Sequence, residues 1–244
     1  MNNLKIKIFI ILLITGQSIL SGQIPCTLIK EKTLTPPVFG MSGKLEFSKT
    51  WITDKMLRRD DGKGNTKIVR IDKGVMWVIN HNDSTYTELQ REEFQGLAIL
   101  GLMMFGVTFD TTTGEVIVPK PLLKKTGRKR VVNGYNCEEY VPASLDKNNN
   151  FIKSITMWVS KDTGLDQSIY INILKKMLGD VNNEYGDFYA QLQSMGGYPV
   201  RVETKMLGKA ITQDFTGYEK VTVKNTFFDP PKGYKKKEGF FGPM

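Results

Sequence analysis

The sequence predicts an α+β fold, a curved antiparallel sheet with helices packed on its concave face, and three observations predict it. Short β-branched and aromatic runs punctuated by turn residues fill 43–89 and return after Gly114. An apolar segment of helical length separates those two runs, and a second stretch of helical spacing follows Asp166 and precedes the last strands. Helices inserted between runs of strands are accommodated by covering one face of a sheet, because each element has apolar surface to bury.

The chain opens with an export signal. Lys5 and Lys7, the apolar run 8–14, and Thr15-Gly16-Gln17-Ser18 stand in the order of a cleavable signal peptide over residues 1–22. That run is far shorter than the roughly 20 apolar residues that span a bilayer. Removing Lys5 and Lys7, the only charges before Gln23, lowers the formal net charge from +9 to +7. The expected organisation is a signal peptide (1–22), an N-terminal extension (23–42), a single domain (43–234) and a basic tail (235–244), with a periplasmic or secreted location and no transmembrane span after cleavage. Cys26 and Cys137 both reach a compartment where disulfides persist, and the sequence leaves their pairing open.

In the first β section, strands are expected over 44–49, 51–59, 67–71, 75–80 and 84–89. The turns are Asp60-Asp61-Gly62, Asp72-Lys73-Gly74 and 80–83. Val75-Met76-Trp77-Val78-Ile79 is apolar on both faces, so this strand should be covered on both sides. The expected cover is the next segment, 90–107, where Arg91-Glu92-Glu93 leads into Phe94, Leu97, Ala98, Ile99, Leu100, Leu102, Met103, Met104 and Phe105. Acidic residues at its start suit a helix amino terminus. A helix apolar nearly all round is either plain core or faces a hydrophobic ligand, and both readings stay open.

The second β section is expected over 114–119, 129–142 and 151–160. Its Asp146-Lys147-Asn148-Asn149-Asn150 turn lacks the spaced carboxylates and terminal Glu of a calcium loop. Asp166 then caps a helix with Ile169, Ile173, Leu174, Met177 and Leu178 at helical spacing, and Phe188, Leu192 and Met195 extend the pattern. Gly196-Gly197 stops it, and the final strands run to 207 and over 210–224.

Little in this chain points to catalysis. His81, the only histidine, lies in the polar turn Asn80-His81-Asn82-Asp83, where a turn role is the simpler reading. Two cysteines and one histidine are too few for a common zinc site, and no cofactor or metal is expected. The adjacent pairs Asp60-Asp61 and Glu138-Glu139 would point to opposite faces of a strand, unlike a glycosidase pair. The basic run 124–130 reads as a solvated strand edge. The tail, with Lys235-Lys236-Lys237, fits either a frayed terminus or contact with an anionic envelope surface. Nucleic acid is not an expected partner, since no single surface interleaves aromatic and basic residues.

Several phrases in order carry a family resemblance: Trp51-Ile52-Thr53-Asp54-Lys55-Met56-Leu57-Arg58, 71–79, Gly134-Tyr135-Asn136-Cys137-Glu138-Glu139-Tyr140, Met157-Trp158-Val159-Ser160-Lys161-Asp162, Gly197-Tyr198-Pro199-Val200 and 228–234. Together they resemble the domain-of-unknown-function family DUF4412 over roughly residues 40–234. That family is similar in strand pattern to the periplasmic lipoprotein-carrier (LolA-like) fold, an incomplete antiparallel β-barrel wrapped around helices and an apolar cavity. The resemblance implies ligand holding rather than turnover and supplies no catalytic residues.

The resulting expectation is an exported protein that shelters a lipid, acyl chain or other hydrophobic ligand between sheet and helices. Trp77, Leu97, Leu100, Met103, Met104, Phe105 and Trp158 are the candidate wall or lid, and each also fits a plain core. A non-catalytic envelope interaction module with a filled core is the alternative. A hydrolase would need His81 to meet a carboxylate and a hydroxyl in a cleft.

Overall fold

Strand alternation in this chain resolves into two buried faces of one sheet. The computed structural model describes residues 22–37, 42–103, 107–113, 116–119, 121–142, 155–178, 186–206 and 209–238. Residues 1–21 of the expected signal peptide, residues 143–154, Met104 and Phe105 therefore lie outside the described residues, as does the side chain of Leu100.

The strands are β1 (Gln23–Thr35), β2 (Lys44–Ile52), β3 (Met56–Asp60), β4 (Asn65–Arg70), β5 (Val75–Asn80), β6 (Thr85–Gln90), β7 (Thr108–Phe109), β8 (Val116–Ile117), β9 (Leu123–Val132), β10 (Tyr135–Pro142), β11 (Ile155–Ser160), β12 (Tyr198–Met206), β13 (Lys209–Lys224) and β14 (Lys235–Lys237). Twelve of them form an open sheet in the order β14-β6-β5-β4-β3-β2-β1-β13-β12-β11-β10-β9, while β7 and β8 pair separately. Every pairing in the large sheet is antiparallel except β14 with β6. The helices are α1 (Arg91–Met103), α2 (Ser168–Leu178) and α3 (Gly186–Ser194). The architecture is the expected α+β incomplete barrel.

Local chemistry explains where strands break. The expected strand 51–59 is two strands, because the Thr53 hydroxyl accepts the backbone N–H of Met56 at 2.9 Å and folds a tight turn between β2 and β3. Gly62, in the next turn, has φ +72°, and a Cβ there would stand 2.2 Å from the Phe47 carbonyl oxygen. At Gly197 an added Cβ would meet the Ser160 carbonyl oxygen at 2.4 Å, so glycine lets the start of β12 close on β11.

Neighbouring residues identify the two faces, since successive strand side chains point oppositely. Trp51 and Met56 join Ile68, Trp77, Ile79 and Phe228 on one side. Ile52 and Leu57, next in sequence, join Ile29, Phe215, Tyr198 and the α2 residues Ile169 and Ile173 on the other. The second side is the concave, helix-bearing face. There α1 packs on β5, β6 and α2, and Leu102, Ile171, Phe188 and Tyr189 bring the three helices together.

Three expectations need correction. Residues 23–35 are not an extension ahead of the domain but strand β1, hydrogen-bonded between β2 and β13 near the middle of the sheet. The tail is not separate either, because Lys235–Lys237 add a strand to the sheet edge. The helix after β6 is only part of the cover expected over β5: α1 packs on it from one side, and Trp77 and Ile79 are covered by the C-terminal segment, whose one-turn 3₁₀ helix Asn225–Phe228 wedges the fully buried Phe228 against them.

That segment forms a strap. Phe227 packs edge-on to Trp51 with ring centroids 5.0 Å apart, and the Arg58 guanidinium stacks on it at 4.2 Å. Arg70, buried at 6% side-chain exposure, pairs with Asp72 at 2.7 Å and with Asp229 on the strap at 2.9 Å.

Candidate functional site

The concave face is not filled throughout. Between α2 and the adjoining parts of β1, β2 and β13 lies a cleft of about 450 Å³. Pro25, Ile52 and Ile169 make its apolar floor, and Cys26, Thr27, Thr53, Asp54, Asn172, Lys175, Lys176 and Lys220 complete the lining.

The helix supplies its side of the cleft through spacing. Asp166 Oδ1 accepts the Ser168 N–H at 2.9 Å and starts α2. The side-chain and backbone hydrogen bonds from Ser168 hold the Asp166 carboxyl below the usual carboxylate range. From that start, Ile169, Asn172 and Lys176 fall at i, i+3 and i+7 on one helix face, with Ile173 turned into the core.

The cations at the rim are held by uncharged groups. Lys176 Nζ donates to the Asp54 backbone carbonyl at 2.6 Å, and Lys220 Nζ donates to the Thr27 hydroxyl at 2.8 Å. Lys175 Nζ lies 5.5 Å from the centre of the Tyr189 ring. Burial raises the Cys26 thiol pKa, and alternation along β1 turns this side chain toward the face of Ile24, away from Ile29 and the α2 side.

The concave face also carries a satisfied polar cluster. Glu31 accepts from Arg59 at 2.5 Å and from Gln213 at 2.8 Å, and Arg59 also donates to Thr50 and Ser48, each at 3.0 Å. Burial, followed by the Glu31 charge, pushes the Tyr198 hydroxyl well above its ordinary pKa.

A second cleft, of about 520 Å³, lies along β9, β10 and β11. Its cations are matched by acid: Glu138 takes Lys125 at 2.6 Å and Lys129 at 3.5 Å.

Of the residues expected as wall or lid, the described ones, Trp77, Leu97, Met103 and Trp158, are not among those lining the first cleft. Trp77 lies on the strap side and donates its indole N–H to Glu88 at 2.9 Å. Trp158 points away from Met157 and Val159, which pack with Met195 after α3, and the Arg130 guanidinium stacks on its ring at 3.8 Å. Leu97 is half-buried on α1, and Met103 is 44% exposed at its end. The apolar α1 segment misled because it serves the junction of the helices, through Leu102. The usable signal was on α2, whose stripe ends in the solvent-facing pair Lys175-Lys176.

The remaining candidates have structural partners. His81 bonds to the Thr66 hydroxyl and to the Tyr234 hydroxyl, each at 2.9 Å, while Asp60 accepts from Thr66 at 2.7 Å. In that chain the hydroxyl stands between carboxylate and imidazole, whereas in a charge relay the imidazole stands between carboxylate and hydroxyl. Asp61 Oδ1 accepts the N–H groups of Lys63 and Asn65 in a turn. Glu139, fully buried, is tied to Arg128 and Thr126. Among the described residues no group of three or more His, Cys, Asp or Glu is placed to hold a metal ion. Cys26 and Cys137 are free, buried thiols, and β13, β12 and β11 separate their strands, so the disulfide left open by the sequence is not formed.

A family model described as a domain of unknown function (DUF4412) matches residues 111–234, just over half of the chain. No curated protein matches the sequence. Among solved structures, an uncharacterized conserved protein from Thermus thermophilus shares 8% identity over 87% of this chain and 89% of its own, with a TM-score of 0.45. PNGF-II shares 10% identity over 88% of this chain at a TM-score of 0.37, and the match spans 31% of the PNGF-II chain. A LolA superfamily protein from Nitrosomonas europaea shares 8% identity over 85% of this chain and 90% of its own, with a TM-score of 0.29.

Proposed function

The chain belongs to the family described as a domain of unknown function, DUF4412, and for this member we propose a binding role: it holds a lipid, acyl chain or other hydrophobic ligand outside the cytoplasm, in the cleft between α2 and the sheet. The observation that carries this reading is the open cleft of about 450 Å³ with an apolar floor, on the helix-bearing face of the sheet. Its volume falls within the roughly 300–1,000 Å³ of small-molecule sites, which are lined mainly by apolar groups. The signal-peptide order of residues 1–22 supports a periplasmic or secreted location, and no helix among the described residues is long and apolar enough to cross a membrane.

Uptake of an uncharged fluorescent probe such as N-phenylnaphthylamine tests the reading. Asn172 is exposed on α2 and lines the cleft, so Asn172→Trp should block it and weaken uptake at least tenfold. The change in stability should stay within about 0.5 kcal/mol, as for other surface substitutions. Undiminished uptake by the variant would remove the cleft from consideration.

A second reading, an envelope interaction module, is favoured by the exposed Leu34, Leu45 and Phe47 (52%, 55% and 62%). Leu34 opposes Leu45, and Phe47 opposes Lys32, on one face of the β1–β2 arm. A wild-type chain that takes up no probe but sediments with anionic vesicles would favour this module.

A further inference from the structure

Resting on the binding reading above, we infer that the ligand of the α2 cleft is an anionic amphiphile. Its carboxylate or phosphate headgroup is seated by Lys175, Lys176 and Lys220, and its chain lies on Pro25, Ile52 and Ile169.

The inference comes from how charge is matched across the molecule. Several lysines elsewhere close on carboxylates, Lys30 on Glu219 at 2.8 Å, Lys63 on Glu46 at 2.7 Å, Lys125 on Glu138 at 2.6 Å and Lys236 on Glu88 at 2.8 Å, while Lys209 donates to the Pro37 backbone carbonyl. At the cleft, Lys176 and Lys220 donate to a carbonyl and a hydroxyl instead. Lys175 faces an aromatic ring. Three cations thus line one opening whose lining contains a single acid, Asp54, with Asp166 near enough to feel the Lys220 charge. Gathering like charges is unfavourable unless a counter-charge arrives.

An entering anion would exchange neutral acceptors for charge-assisted hydrogen bonds, which are roughly twice as strong, and would displace no carboxylate. Lysine suits this role, because its ammonium is a point charge on a flexible stem that can follow a headgroup of either geometry. The floor is apolar, so an anion without a chain would leave half of the site unused. A cleft of about 450 Å³ also lies low in the range of small-molecule sites, which fits one chain better than a lipid with several.

The test is displacement of the uncharged probe from the full chain by decanoate, decyl phosphate, decanol and inorganic phosphate, in 50 mM and 500 mM NaCl. The two decyl anions should displace the probe at a concentration at least tenfold below that of decanol, and the gap should narrow at high salt. Inorganic phosphate alone should not compete. The variant Lys175→Gln/Lys176→Gln/Lys220→Gln should bring the anions level with decanol. If decanol matches the anions on the wild-type chain, the headgroup assignment falls while the binding reading stands. If the chain takes up no probe and no decyl compound, both fall together. Competition by inorganic phosphate as strong as by decyl phosphate overturns the amphiphile. Should the triple variant not fold, the salt series on the wild-type chain decides, and a gap that 500 mM NaCl leaves unchanged overturns the assignment.

Discussion

The same strands carry two covers that differ in kind. On the outer face the C-terminal strap drives Phe228 to zero exposure among Met56, Ile68, Trp77 and Ile79, and Arg58 and Arg70 clamp it at either side. On the concave face α2 touches the sheet through Ile169 and Ile173 but leaves a cleft beside Asn172 and Lys176. The strap consists of aromatic wedges and an acid that meets its arginine. The exposed flank of the helix consists of amide and ammonium groups that meet carbonyl and hydroxyl oxygens. Shape and charge are satisfied within the chain on one side, and space and charge are left over on the other, which is the pattern of a structural face backing a receptive one.

The contrast can be broken first at the strap. Phe228→Ala should cost about 4 kcal/mol, as for other fully buried phenylalanines, and lower the urea midpoint with little change in its slope. A loss below about 1 kcal/mol would mean that the strap is not a packed core. Arg70→Met keeps the stem but leaves Asp72 and Asp229 without the guanidinium. Because both acids are one-third exposed and Lys73 still reaches Asp229 at 2.8 Å, about 2 kcal/mol is expected in the same assay.

Acid sharpens the same point. The Arg70 hydrogen bond holds the Asp72 carboxyl below the ordinary range. Its contribution to stability is therefore full above the unfolded value of about 3.9 and is lost as pH falls through the lowered folded value. Melting temperatures between pH 6 and pH 3 should fall less steeply for Asp72→Asn than for the wild-type chain, and identical slopes would deny the carboxylate this role. At the small end, Asn172→Trp on the receptive face should leave the melting temperature nearly unchanged while removing probe uptake.

How much of this was legible follows from how local each signal is. The hairpins from 44 to 90 could be read from alternation and glycine turns, and α2 from its apolar spacing after Asp166, because those signals lie within ten residues of one another. β1 could not be read as central: its partner β13 lies far along the chain, and Pro25 and Cys26, just after a segment with the residue order of a signal peptide, look like a linker. The strap was hidden in the same way, since Phe227-Phe228-Asp229-Pro230-Pro231 reads as a frayed tail until Trp51, Arg58 and Arg70 are brought beneath it. The cleft draws on β1, the turn after β2, α2 and β13, and no spacing in the sequence links Cys26, Asp54, Lys176 and Lys220. The apolar α1 segment gave the stronger signal, and it marked the place where the helices meet one another.

The pairing of β1 with β13 also sets the timing of assembly. Gln23 lies opposite Lys224 and Leu34 opposite Thr212, so the middle of the sheet can form only after nearly the whole chain has been synthesised. Contacts so distant in sequence slow folding, because a large loop must close before the strands gain anything from pairing. The first strand to emerge waits for almost the last. A chain built this way leaves the centre of its sheet unpaired until late in its synthesis, and its two halves are joined only when β13 arrives.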